Sequence, residues 1–108
     1  MDNTQQDERI ARFEAKVIEH PEQELHRFSL GKALFDAGRL AEAERHLRVA
    51  LGKRQDWMVV VMLLGQCAVQ RGDKAAAREL YEKALKLAID QHHEGPEAEV
   101  RAALASLE

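Results

Sequence analysis

The side chains best equipped for chemistry in this chain are one cysteine, five histidines and a cluster of arginines and lysines. Cys67 sits in a mostly apolar stretch with no adjacent histidine or basic residue to lower its thiol pKa, so it reads as a small buried hydrophobe and not a nucleophile. A single cysteine also excludes an internal disulfide and a thiolate metal cluster. His92-His93-Glu94 joins potential metal ligands near a helix end. Adjacent histidines on a helix diverge by about 100°, however, and no third ligand follows at usable spacing. The stretch reads as a solvated helix end, with His92 placed to interact with the helix dipole. His20, His26 and His46 have no serine or cysteine beside them in sequence, and only a spatial pairing would make a catalytic set of them. Arg45, Arg48, Lys53 and Arg54 form a basic patch, but Glu42 and Glu44 adjoin it and no aromatics interleave it, which describes a solvated face better than a nucleic-acid surface. Gly31, Gly38, Gly65 and Gly72 lie in pairs 34 apart instead of clustering as a phosphate loop requires. The expectation is therefore no catalytic residue, no metal and no cofactor: a protein that is not an enzyme.

The totals agree with a binding role. The chain has 108 residues, 45% apolar and 32% charged, which suits one globular domain over 1–108. Sixteen basic residues against 19 acidic give a net charge of −3, without the basic excess that nucleic acid or an anionic membrane would call for. The opening MDNTQQDERI has neither a basic leader nor an apolar run. The longest apolar run, Trp57 to Leu64, is far short of the ~20 residues that cross a bilayer. A cytoplasmic location is expected.

The elements follow from periodicity. Over 4–19, Ile10, Phe13 and Val17 recur on one helical face, Thr4 is placed to cap the start of an acidic first turn, and His20-Pro21 ends the helix. Leu30, Ala33, Leu34 and Ala37 mark a helix over 22–37 that Gly38 stops, and Ala43, Leu47, Ala50 and Leu51 mark another over 40–54. Residues 57–71 end at Gly72, Asp73 caps the next helix, and 74–91 carries Ala77, Leu80, Tyr81, Ala84, Leu85 and Ala88. Gly95-Pro96 reads as a stop followed by a helix-starting proline, and Val100, Leu104 and Leu107 mark a capping helix over 96–107.

The four central helices are two copies of one unit. Laying 24–57 over 58–91 aligns Leu30 with Leu64, Gly31 with Gly65, Gly38 with Gly72, Ala41 with Ala75, Ala43 with Ala77, Ala50 with Ala84, Leu51 with Leu85 and Asp56 with Asp90. Nearly all are small or core residues, and a period of this length marks a stacked repeat. Leu-Gly, a Gly-centred turn, then two alanines framing an aromatic or leucine resembles the tetratricopeptide repeat. The second unit matches it best, with Leu64-Gly65, Gly72, Ala77, Tyr81 and Ala84. The chain departs from the pattern where Leu34, Leu47 and Ala68 replace aromatics, and where Gln55 and Ile89 replace the closing proline. The resemblance implies an all-α fold: antiparallel helix–turn–helix repeats stacked as a short right-handed α-solenoid of about six helices, with 4–19 and 96–107 flanking the repeats 24–57 and 58–91.

It also implies a place for a partner. In the family, the first helix of each repeat lines the concave surface where ligands commonly bind. Carried onto this chain, that surface presents Leu25, Phe28, Lys32 and Phe35 from the first unit, and Val59, Met62, Gln66 and Val69 from the second. The expected function is a non-catalytic interaction module that takes a peptide or helix of another protein in an apolar groove. Where a subset of the family clamps chaperone tails with asparagines, this chain has Lys32 and Gln66, and Phe28 stands for a basic residue. That specificity is not expected. The alternative is a structural subunit that homodimerises through the apolar surface of 57–71 or an open end of the stack.

Overall fold

The structure, a computed structural model, describes residues 3–108, with side chains from Thr4 onward, and all of its regular elements are α-helices. They are α1 (Asn3–Glu19), α2 (Glu24–Asp36), α3 (Leu40–Lys53), α4 (Met58–Gln70), α5 (Lys74–Asp90) and α6 (Glu94–Ala105). They fall into two compact units that divide between Gln55 and Asp56. In the first, α1 packs on α2 and α2 on α3; in the second, α4 packs on α5 and α5 on α6. The hairpins α2–α3 and α4–α5 are the two antiparallel helix–turn–helix repeats.

The small residues set the closeness of each hairpin. Gly31 and Gly65 are buried mid-helix in α2 and α4. A Cβ on Gly31 would stand 2.7 Å from both Cγ and Cδ2 of Leu47; on Gly65 it would stand 2.9 to 3.1 Å from the ring of Tyr81. Leu47 and Tyr81 occupy the same place in the repeat, so the same device operates twice: a glycine on the first helix seats a large side chain from the second. Ala43 and Ala50 flank Leu47, Ala77 and Ala84 flank Tyr81, and all four alanines are fully buried. Around these contacts lie Ile10, Val17, Leu30, Ala33 and Leu34 in the first unit, and Leu64, Cys67, Ala68, Ala88 and Val100 in the second.

Three helices end in the same way. The residue two past the helix adopts a left-handed conformation: Gly38 (φ 78°), Gly72 (φ 81°) and His92 (φ 57°). The amides there close back on the last turn, Gly38 N–H to Phe35 O and Arg39 N–H to Leu34 O, both 2.9 Å. Gly72 and Asp73 repeat the arrangement on Val69 and Ala68, and His92 and His93 on Ile89 and Ala88. These paired bonds satisfy carbonyls that a helix end would otherwise leave open.

Several boundaries differ from the sequence expectation. α1 already includes Asn3, so Thr4 lies inside the first turn, and that turn holds no acidic residue. Gly95-Pro96 is not a stop. α5 ends at Asp90, the chain turns at His92, His93 takes the N-cap position, and Gly95-Pro96 falls in the first turn of α6, where a proline's missing N–H costs nothing because that amide has no intrahelical partner. Leu63 is buried, as are Met58 and Val60. An apolar run of this length carries no polar residues to show which face is which.

Candidate protein-docking surfaces

The eight residues expected to meet a partner fall into two sets of four with identical spacing, and each set occupies one helix face. Leu25, Phe28, Lys32 and Phe35 run along α2 at i, i+3, i+7 and i+10, a length of about 15 Å at the helical rise. Val59, Met62, Gln66 and Val69 do the same on α4. Each set is apolar apart from one polar member at the third place.

Their exposure is that of a surface. Leu25 is 59% exposed, Val59 49% and Val69 44%, while Phe28, Phe35 and Met62 are half-buried, rooted in their own units with part of the side chain outside. Lys32 and Gln66 are exposed. The Lys32 ammonium lies 3.5 Å from the Asp36 carboxylate one turn on. Asp36 is in turn 3.4 Å from Arg9 of α1, whose guanidinium stands over the ring of Phe13 with 5.7 Å to its centroid. The lower edge of the α2 stripe is therefore bordered by a small charge network of exposed groups. In the second unit α6 packs on α5, and the exposed Val59, Gln66 and Val69 are not covered by it.

The chemistry-bearing side chains lie elsewhere. Cys67 is fully buried within α4, on the side of Tyr81; burial, then the neighbouring thiol, raises the Tyr81 phenol pKa. His92 and His93 are exposed and occupied in ending α5 and starting α6. Among the described residues no group of three or more His, Cys, Asp or Glu stands at metal-binding spacing. Arg45, Arg48, Lys53 and Arg54 are exposed on or just past α3. Glu42 is engaged by Arg39 through two bonds of 2.9 and 2.7 Å, which hold the carboxylate below its usual pKa and the guanidinium above its own. Asp73 caps α5 as expected, accepting from Ala76 N–H at 3.0 Å, and that bond lowers its pKa, helped by Arg71.

Two histidine contacts were not anticipated from sequence. The rings of His20 and His26 approach to 5.7 Å between centroids. Across the α2–α3 hairpin, Arg27 Nη1 lies 3.2 Å from His46 Nδ1. The repeat register contained a signal for the second: it pairs Arg27 with Val61 and His46 with Leu80, so a polar pair stands where the other unit has an apolar one.

Comparison with known proteins places this geometry. Models of the tetratricopeptide repeat match residues 25–48 and 60–90, which lie within the two hairpins. A Bordetella parapertussis protein solved in solution is 30% identical, superposes with a TM-score of 0.81, and the match covers 91% of this chain and 85% of that one. The chain belongs to the tetratricopeptide-repeat family. No curated protein matches it in sequence. More distant structures share its fold: the type III secretion translocator chaperone SycD of Yersinia enterocolitica, at 14% identity and a TM-score of 0.89, covers 97% of this chain and 73% of its own length. PcrH of Pseudomonas aeruginosa, at 20% identity and a TM-score of 0.87, covers 97% and 80%. PcrH has also been solved in complex with the chaperone binding region of PopD, at a TM-score of 0.88. As a tetratricopeptide-repeat protein the chain is a protein-interaction module, and among the described residues no helix is long and apolar enough to cross a membrane.

Proposed function

We propose that this chain binds a peptide or helix of a partner protein on the apolar stripes of α2 and α4, without catalysing a reaction on it. The observation that carries the reading is the repetition of one exposed pattern, apolar–apolar–polar–apolar, at the same places of both repeats: Leu25, Phe28, Lys32, Phe35 and Val59, Met62, Gln66, Val69. Large apolar side chains left outside at matched positions are what an amphipathic or extended segment needs as anchors. Completing the burial of Phe28, Phe35 and Met62 would contribute at most about 1.5–3 kcal/mol each, before the costs of ordering and desolvation are subtracted. The PcrH complex supports the reading, since a protein of the same fold takes a segment of another chain.

Phe28→Glu and Met62→Glu test it. Both side chains are only half-buried, so each variant is expected to keep its helical circular dichroism and melt within a few degrees of the wild type while losing peptide binding. If both unfold the domain, these residues are core and the stripes are not docking surfaces. Sedimentation over a range of concentrations addresses the competing occupant: a dimer that dissociates in Val59→Glu would assign the α4 stripe to a second copy of the chain.

A further inference from the structure

The Arg27–His46 contact sits in a part of the first unit that the docking stripes do not use. Arg27 comes from α2 and His46 from α3, and Nη1 to Nδ1 is 3.2 Å in a part-buried setting. A guanidinium can only donate, so His46 Nδ1 accepts through its lone pair, and the ring is neutral with its proton on Nε2. Protonating Nδ1 removes the acceptor and sets two cations face to face at that distance. Other charged groups act on the ring from each neighbouring helix. Arg45 on α3 adds to the positive field; Glu14 on α1 and Glu42 on α3 oppose it, and Glu42 is already engaged by Arg39. Burial first, then Arg27 and Arg45, favour the neutral ring and lower its pKa from 6.5. Among the described residues Arg27 Nε is buried with no acceptor, and the guanidinium reaches His46 through Nη1.

The second unit supplies the comparison. The same places in the α4–α5 hairpin hold Val61, fully buried, and Leu80, half-buried. The hairpin geometry thus does not need a polar pair, and an apolar pair avoids the desolvation of two polar groups. We propose that the Arg27–His46 contact is an acid-sensitive latch on the α2–α3 hairpin, closed by the neutral imidazole and released by the imidazolium. The sign follows from the binding of the proton. The folded state resists protonation more than the unfolded chain, so the latch's contribution is fully present above about pH 6.5 and is lost as pH falls below it.

The test is an NMR titration of the full chain, with thermal melts of the wild type, His46→Gln (an acceptor that does not titrate) and the Arg27→Val/His46→Leu pair copied from the second unit. The expected results are a His46 ring protonated on Nε2 at neutral pH, a midpoint below 6.5, and a wild-type loss of Tm between about pH 7 and about pH 5 that both variants lack in part. Amide protection should fall in α2 and α3 and persist in α4 and α5. A midpoint at or above 6.5, or an acid loss of Tm unchanged in both variants, overturns the latch. The titration reads the wild type directly, so a variant that fails to fold does not remove the test.

Discussion

Replacing Gly31 by alanine is a perturbation whose sign the structure decides against local propensity. In an isolated helix the change gains about 1 kcal/mol. Here the new methyl would lie 2.7 Å from Cγ and Cδ2 of Leu47 and 3.4 Å from the Ala43 carbonyl oxygen, where ordinary contact begins near 3.4 Å. Leu47 is fully buried and cannot swing outward. Overpacking of this kind costs about 1–3 kcal/mol, so the net expectation is a loss of up to about 2 kcal/mol after the helical gain is subtracted. The control is the same substitution in a Leu47→Ala background. That background is itself about 2–5 kcal/mol less stable, but the methyl then has room, and Gly31→Ala should stabilise by up to about 1 kcal/mol. Urea unfolding of the four proteins gives the coupling as a reversal of sign between backgrounds. Stabilisation by Gly31→Ala in the wild type, or the same effect in both backgrounds, would refute the claim that glycine here admits leucine.

Other expectations follow from individual contacts. His92→Gly relieves a left-handed residue costing about 1–2 kcal/mol, against a smaller loss from glycine's freedom in the unfolded chain, so Tm should rise slightly; a fall would mean the ring makes a stabilising contact. Asp73→Ala should lower Tm by removing the Ala76 N–H acceptor, Asp73→Asn should keep most of the cap, and the wild-type advantage over Asn should vanish as acid protonates the carboxylate. Cys67 is fully buried, so a thiol reagent should modify the native protein only at the rate of its opening and the denatured chain at once; prompt reaction under native conditions would contradict the packing of α4.

The hairpins were legible because packing demands recur. Gly31 with Leu47 and Gly65 with Tyr81 stand in register 34 residues apart, and a glycine that must admit a neighbour leaves a mark that periodicity alone does not. The start of α6 was not legible. Gly95-Pro96 has the residues of a break, yet α5 runs 17 residues against 14 in α3, and histidine takes the turn that glycine takes elsewhere. Glycine's absence at position 92 concealed the cap, since a left-handed histidine is held by the two amide bonds and not by its own preference. The burial of Leu63 was not legible, because a helix apolar on every side gives no period by which to assign a face. The proposed docking stripes were readable as faces, since side chains at i, i+3, i+7 and i+10 share a side wherever the helix packs; a binding partner depends on chemistry in another molecule.

The most direct test of the docking account is to select peptides from a displayed library against the wild-type chain, then map a selected peptide by NMR chemical-shift changes. The account predicts that the changes centre on Leu25, Phe28 and Phe35 of α2 and on Val59, Met62 and Val69 of α4, and that Phe28→Glu and Met62→Glu, still folded, each weaken binding at least about tenfold, a change of about 1.4 kcal/mol. Shifts centred on α3 or α5, or binding unaffected by both substitutions, would contradict it.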